Sequence, residues 1–139
     1  METDVKLSKR LKLSDLTRSY TAQTRNIKEQ YLIDFKTVGN LVKIANKIDR
    51  VMSLTDLSIT SGYRCEEVNK LVGGKENSKH LKGLAVDITS NDIGKLWDAV
   101  QTETWDRAIK YKKYIHVQIE EDEQLNENLF IIKINRKED

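Results

Sequence analysis

The chain has only two histidines, His80 and His116, and an aspartate, Asp87, follows closely on the first. A His/Asp/His set offers one metal ion three ligands and leaves a fourth position open. That open position separates a catalytic zinc from a structural one, in which protein ligands close all four. His80 lies in the run Ser78-Lys79-His80-Leu81-Lys82-Gly83-Leu84-Ala85-Val86-Asp87-Ile88, and His116 in Tyr114-Ile115-His116-Val117-Gln118-Ile119. The same residues also fit plainer roles, a hydrogen-bonded strand histidine and a polar group at a strand end. Spacing alone leaves both possibilities open, because coincidences of two ligands are common.

The segments around these residues read as strands, and strand geometry decides which side chains can meet. Successive side chains on a strand point to opposite faces. Over Leu84 to Thr89, Leu84, Val86 and Ile88 share one apolar face, while Ala85, Asp87 and Thr89 share the other. Over Tyr114 to Ile119, Ile115, Val117 and Ile119 form the core face, and Tyr114, His116 and Gln118 the opposite one. Asp87 and His116 therefore both leave the non-core side of a sheet. If the two strands are neighbours, both side chains converge on one ion, with His80 arriving from the polar loop over 75–83. Ala85 is small and leaves room beside it.

The remaining elements must form the frame. Leu13-Ser14-Asp15-Leu16 reads as a short helix capped by Ser14, and residues 21–28 as a polar loop. A long amphipathic helix is expected from about Glu29 to Met52. Its apolar positions Tyr31, Phe35, Val38, Leu41, Val42, Ala45, Ile48 and Met52 recur at steps of three and four. Leu57 to Thr60 reads as a strand, Glu66 to Val72 as a short helix ended by Gly73-Gly74, and Asp92 to Glu103 as a helix. Trp105 to Tyr111 and Tyr114 to Ile119 read as a hairpin turning at Lys112-Lys113. An acidic loop over Glu120 to Asn128, a last strand over Leu129 to Ile134 and a charged, frayed tail complete the chain. The expected fold is α+β, a small, mainly antiparallel sheet flanked by helices. It forms a single domain over 1–139, with a helical part over about 6–53 and the sheet with the metal site over about 57–134.

Composition narrows the function classes. The chain has 139 residues, 38% apolar and 33% charged, with a net charge of +2. That length supports one core, and that charge gives no argument for nucleic acid. Cys65 is the only cysteine, which excludes an intrachain disulfide and a cysteine-rich zinc site. A thiol nucleophile is disfavoured, since no histidine is near Cys65 in sequence. No apolar run suits a membrane span, and Met1 to Leu13 lacks the apolar stretch of a signal peptide. Synthesis in a cytoplasm without a signal peptide, and no membrane partner, are the expectations. Gly73-Gly74 lacks the lysine and hydroxyl of a phosphate loop. Glu120-Glu121-Asp122-Glu123 lacks calcium-loop spacing and reads as a solvated loop.

Taken in order, Ser61-Gly62-Tyr63-Arg64, Val68-Asn69, Val72-Gly73-Gly74, Ser78-x-His80-x6-Asp87-Ile88 and Tyr114-Ile115-His116-Val117 form a series. It resembles the zinc D-Ala-D-Ala carboxypeptidase-like peptidases of bacteria and phages, a group related to lysostaphin-type enzymes and the hedgehog domain. The opening Leu11-Lys12-Leu13-Ser14-Asp15-Leu16-Thr17-Arg18-Ser19 resembles the start of the single-domain phage members. The resemblance runs from about residue 6 to 119. It implies Zn2+ held by His80, Asp87 and His116, and hydrolysis of peptidoglycan stem peptides with zinc-bound water as the nucleophile, of carboxypeptidase or endolysin type. It implies Arg64 as partner of a substrate carboxylate or of the developing oxyanion, and Ser78 and Tyr114 as substrate-binding residues. The implied place of action is the cell wall, reached through a pore or from within a phage virion, with other virion proteins as possible partners.

The pattern breaks at one point. Members of that group carry an acidic residue shortly before the last histidine, as general base. By spacing that position is Lys110, or Tyr111 if the hairpin is one residue shorter, and no acid occurs from Lys110 to Tyr114. Asp106 and Glu120 to Glu123 are the conceivable substitutes. Two outcomes follow: an active zinc peptidase, or a zinc-containing but silent module with a structural or wall-binding role.

Overall fold

The computed structural model describes residues 4–121. Lys12 precedes the first helix, α1 (Leu13–Thr17), where the Asp15 carboxylate accepts from the Lys12 backbone N–H. Ser14 is therefore inside the helix and not its cap; its hydroxyl and N–H reach Asp4 instead. Residues expected as loop form a second helix, α2 (Tyr20–Arg25), because Ser19 caps it by accepting from Ala22 N–H and Ala22 buries against Ile27, Cys65 and Val68. A 3₁₀ turn over Lys28–Tyr31 follows.

The long helix, α3 (Phe35–Met52), starts later than its apolar pattern suggests. Asp34 accepts from Thr37 N–H at 2.8 Å and sets the start there. Tyr31 falls before the helix and Phe35 is almost wholly exposed, so neither belongs to the buried stripe. That stripe is Leu41, Ile44, Ala45, Ile48 and Val51, all fully buried.

The strands are β1 (Ser58–Ser61), β2 (Ala85–Thr89), β3 (Arg107–Lys110) and β4 (Ile115–Gln118). They form one antiparallel sheet in the order β1-β2-β4-β3. Two short helices, α4 (Glu66–Leu71) and α5 (Ile93–Val100), lie between strands, α5 capped by Asp92. The core packs the stripe of α3 with Leu96, Ala99 and Val100 of α5 against Val86 and Ile88 of β2 and Ile115 and Val117 of β4. With apolar residues filling one face, the polar alternates are left on the other. The architecture is the expected α+β arrangement. The strand expected at Leu129 to Ile134, the loop beyond Glu121 and the charged tail lie outside the described residues.

Candidate metal centre

β2 and β4 are neighbours, and Asp87 and His116 stand directly opposite each other in their register. Directly opposed side chains on one face lie about 4.5–5.5 Å apart at Cβ, close enough to share an ion. His80 comes from a 3₁₀ turn over Lys79–Lys82 that leads into β2. Gly83 ends that turn at φ +71°, where a Cβ would meet Leu41 Cγ and Thr37 O at 3.0 Å each. The turn is also held to α3 by Asn40, whose amide donates to Lys82 O at 3.0 Å. His80, Asp87 and His116 thus converge, each offering one donor atom, with those atoms within 4.8 Å of one another.

The polar contacts assign the donor atoms. Between Ile59 and Ser61 the β1–β2 register shifts, which sets Ser61 opposite Asp87 and brings Gly62 beside His80. His80 Nδ1 lies 2.7 Å from Gly62 O. A carbonyl only accepts, so Nδ1 carries a proton and Nε2 is the nitrogen left to face Asp87 and an ion. That Nε2 is 3.4 Å from Asp87 Oδ2, and His116 Nδ1 is 2.8 Å from Asp87 Oδ1. Gly62 has no room for a side chain, since a Cβ there would meet Leu16 O at 2.2 Å.

Electrostatics follow from these contacts. Burial pushes the Asp87 carboxyl up, but hydrogen bonds from His116 and His80 outweigh it and bring its pKa down to about 2. The His116 imidazole is raised above its ordinary value, chiefly by its bond to Asp87. A deprotonated carboxylate between two imidazole nitrogens is a donor set that zinc accepts. The chemistry of the three donors and their spacing fit such an ion.

Arg64 lies beside this cluster. Its backbone N–H donates to His80 O at 3.1 Å and its Nη2 donates to Ser78 Oγ at 3.3 Å. Its Nε is buried and meets no acceptor among the described residues. Burial lowers the guanidinium pKa, while the charge of Asp87 opposes that. Ser78 also caps the 3₁₀ turn by accepting from His80 N–H. Tyr114 shares the His116 face and stacks on Tyr111, with ring centroids 4.7 Å apart and planes at 22°. Burial and the nearby Asp87 push the Tyr114 hydroxyl up.

The two positions considered for a general base differ in direction. Ile109 pairs with His116 and Lys110 pairs with Ile115, a core-face residue. Lys110 therefore lies on the sheet face away from His116, and alternation returns Tyr111 to the His116 side, beside Tyr114. Asp106 is turned elsewhere: its Oδ2 accepts from Gln118 Nε2 at 2.9 Å. Glu121 pairs with Lys36 and Lys82. Glu120 lines an open groove between α3 and the start of β3, and none of the three metal-set residues lines that groove.

Three contributors escaped the sequence reading. Gly62 acts through its carbonyl, which no side-chain pattern reveals. Gln30 is fully buried and bridges Thr17, Tyr63 and Cys65. The strand period puts Gln118 on the His116 face but gives it no task; its Oε1 lies 2.9 Å from His116 Nε2. Among the described residues no helix is long and apolar enough to cross a membrane.

The family model described as Peptidase M15 matches residues 9–118, most of the chain and all of the elements that build the cluster. No curated protein and no solved structure matches the chain.

Proposed function

Because the chain belongs to the Peptidase M15 family, whose members are zinc-dependent peptidases acting on peptidoglycan, we propose that it hydrolyses peptidoglycan stem peptides with zinc held by His80 Nε2, Asp87 and His116 Nδ1. The observation that carries this reading is the convergence of those three donors from a turn and two adjacent strands. Zinc supplies Lewis-acid activation of the scissile carbonyl and of water. The chain's own residues do the rest. Arg64, anchored through Ser78 and with Nε unspent, offers a planar fork to a substrate carboxylate or to the developing oxyanion. The Tyr111–Tyr114 stack walls the site beside His116 and orients the peptide. Carboxypeptidase action is the finer reading, since a cation beside the donor set suits a terminal carboxylate.

One observation favours a second reading, a zinc-binding but silent module with a wall-binding or structural role. Of the two positions weighed for a general base, Lys110 and Tyr111, neither holds a carboxylate, and only Tyr111 lies on the His116 side of the sheet. The two readings separate on one experiment. Purified muropeptides are incubated with zinc-loaded and zinc-free protein, and the products are weighed by mass spectrometry. Cleavage that requires zinc and disappears in His116→Ala establishes the peptidase. No cleavage by the zinc-loaded wild type, with cleavage gained in Tyr111→Glu, establishes the silent module. Protein that takes up no zinc overturns both.

A further inference from the structure

The two histidines offer opposite nitrogens to the cluster, His80 its Nε2 and His116 its Nδ1. For His80 the backbone enforces the choice, through Gly62 O. For His116 the far nitrogen, Nε2, lies 2.9 Å from Gln118 Oε1. A glutamine amide can present either its oxygen or its nitrogen, so this contact alone does not fix the proton. The next contact does. Gln118 Nε2 donates to Asp106 Oδ2 at 2.9 Å, and an ionised carboxylate only accepts. With the amide nitrogen committed to Asp106, the oxygen must face His116, and His116 Nε2 must carry the proton. Nδ1, which donates to Asp87 Oδ1 at 2.8 Å, is then the nitrogen left to exchange its proton for the ion.

We propose that Gln118 and Asp106 are positioning residues that hold His116 in the Nε2–H form and raise its affinity for zinc at Nδ1. This rests on the metal reading above. Backbone geometry builds the relay. Gln118 is two residues beyond His116, so β4 places both on one face. Arg107 pairs with Gln118, and Asp106 N–H donates to Gln118 O at 2.9 Å, which sets the two side chains next to each other. Asp106 is exposed and touches neither His80 nor Asp87 in any hydrogen bond or ion pair, so it acts through Gln118 alone. Outer partners of this kind change metal affinity by about 10–100-fold.

The test uses the full chain and zinc itself, with affinity read by competition against a chelator. Gln118→Met keeps the length of the side chain and removes the acceptor. Asp106→Ala removes the group that orients the amide. Asp106→Asn removes the charge but keeps an oxygen that can accept from Gln118. Gln118→Met and Asp106→Ala should each weaken zinc binding by about 10–100-fold, while Asp106→Asn should stay within a few-fold of the wild type. In zinc-loaded wild type the His116 Nε2–H proton should exchange slowly with solvent, and in Gln118→Met quickly. Thermal unfolding of the zinc-free proteins reports whether each variant folds; exposed Asp106 carries the test if Gln118→Met does not. Unchanged affinity in a folded Gln118→Met or Asp106→Ala overturns the proposal. So does Asp106→Asn binding as weakly as Asp106→Ala, which would make the effect one of charge. Wild-type protein that binds no zinc overturns the metal reading itself, and this proposal with it.

Discussion

Gln30 is the residue whose loss should reveal how the site is built. It is fully buried, and its amide makes three hydrogen bonds of 2.8 Å. Two are donated to Thr17 O and Tyr63 O, and one is accepted from Cys65 N–H. The last two flank Arg64, and Tyr63 follows the Gly62 carbonyl that orients His80. Gln30→Met keeps the volume, so no cavity contribution enters. It leaves three backbone groups without partners, at about 1–3 kcal/mol for each buried group. Carbonyls tolerate such loss better than an N–H does, so the sum lies toward the low end, about 3–6 kcal/mol. Against a typical total of about 5–15 kcal/mol, that is a large share. In a urea titration of zinc-free protein the midpoint should fall by about 1.5–3 M at an unchanged slope near 2 kcal/mol/M. Gln30→Glu should be worse, because it sets a carboxylate against two carbonyl oxygens. Zinc affinity should fall in both variants as the loop around Arg64 loosens. A midpoint shift under about 0.5 M for Gln30→Met would refute the claim that this one amide holds the loop.

Other consequences can be checked alongside. Gly83→Ala should destabilise the zinc-free protein by about 1–3 kcal/mol, from positive φ and from contact with Leu41 and Thr37; thermal unfolding reads this directly. Burial pushes the Asp49 carboxyl up, but Ser8 and Arg10 donate to it and hold its pKa below the ordinary 3.8. The folded value is the lower one, so its contribution is complete above the ordinary value and is lost as pH falls through the folded value. Asp49→Asn should therefore lower stability at neutral pH by about 1–3 kcal/mol and flatten its fall in acid, seen in urea midpoints taken across pH. Arg64→Lys should raise KM for a peptide with a free terminal carboxylate by about tenfold or more and leave the amidated peptide nearly unchanged; equal effects on both would remove Arg64 from carboxylate binding.

Part of the frame was legible without coordinates because it depends on local rules. Strand alternation has a period of two, so the face shared by Tyr114, His116 and Gln118 and the apolar face of Val86 and Ile88 follow from order alone. The hairpin at Lys112-Lys113 and the helix capped by Asp92 carry their own turn and cap signals. Local pattern misled where burial depends on distant partners. Tyr31 and Phe35 extend the apolar steps of α3 toward its start, yet Asp34 caps the helix after Tyr31, and Phe35 faces solvent. The segment from Tyr20 to Arg25 looks polar, yet it is helical because Ala22 and Ile27 find Cys65 and Val68 some forty residues on.

The donor set divides along the same line. The types of His80, Asp87 and His116, and the face from which the last two project, belong to the sequence, because they are set by residue identity and a two-residue period. That β2 and β4 are adjacent although α5 and β3 lie between them in the chain, and that their register opposes Asp87 to His116, were decided only by tertiary packing. So were the Gly62 carbonyl that frees Nε2 of His80 and the Gln118–Asp106 pair behind His116. A hydrogen bond between residues far apart in the chain leaves no periodic trace in the order of amino acids, since its energy depends on distances that exist only once the core has closed.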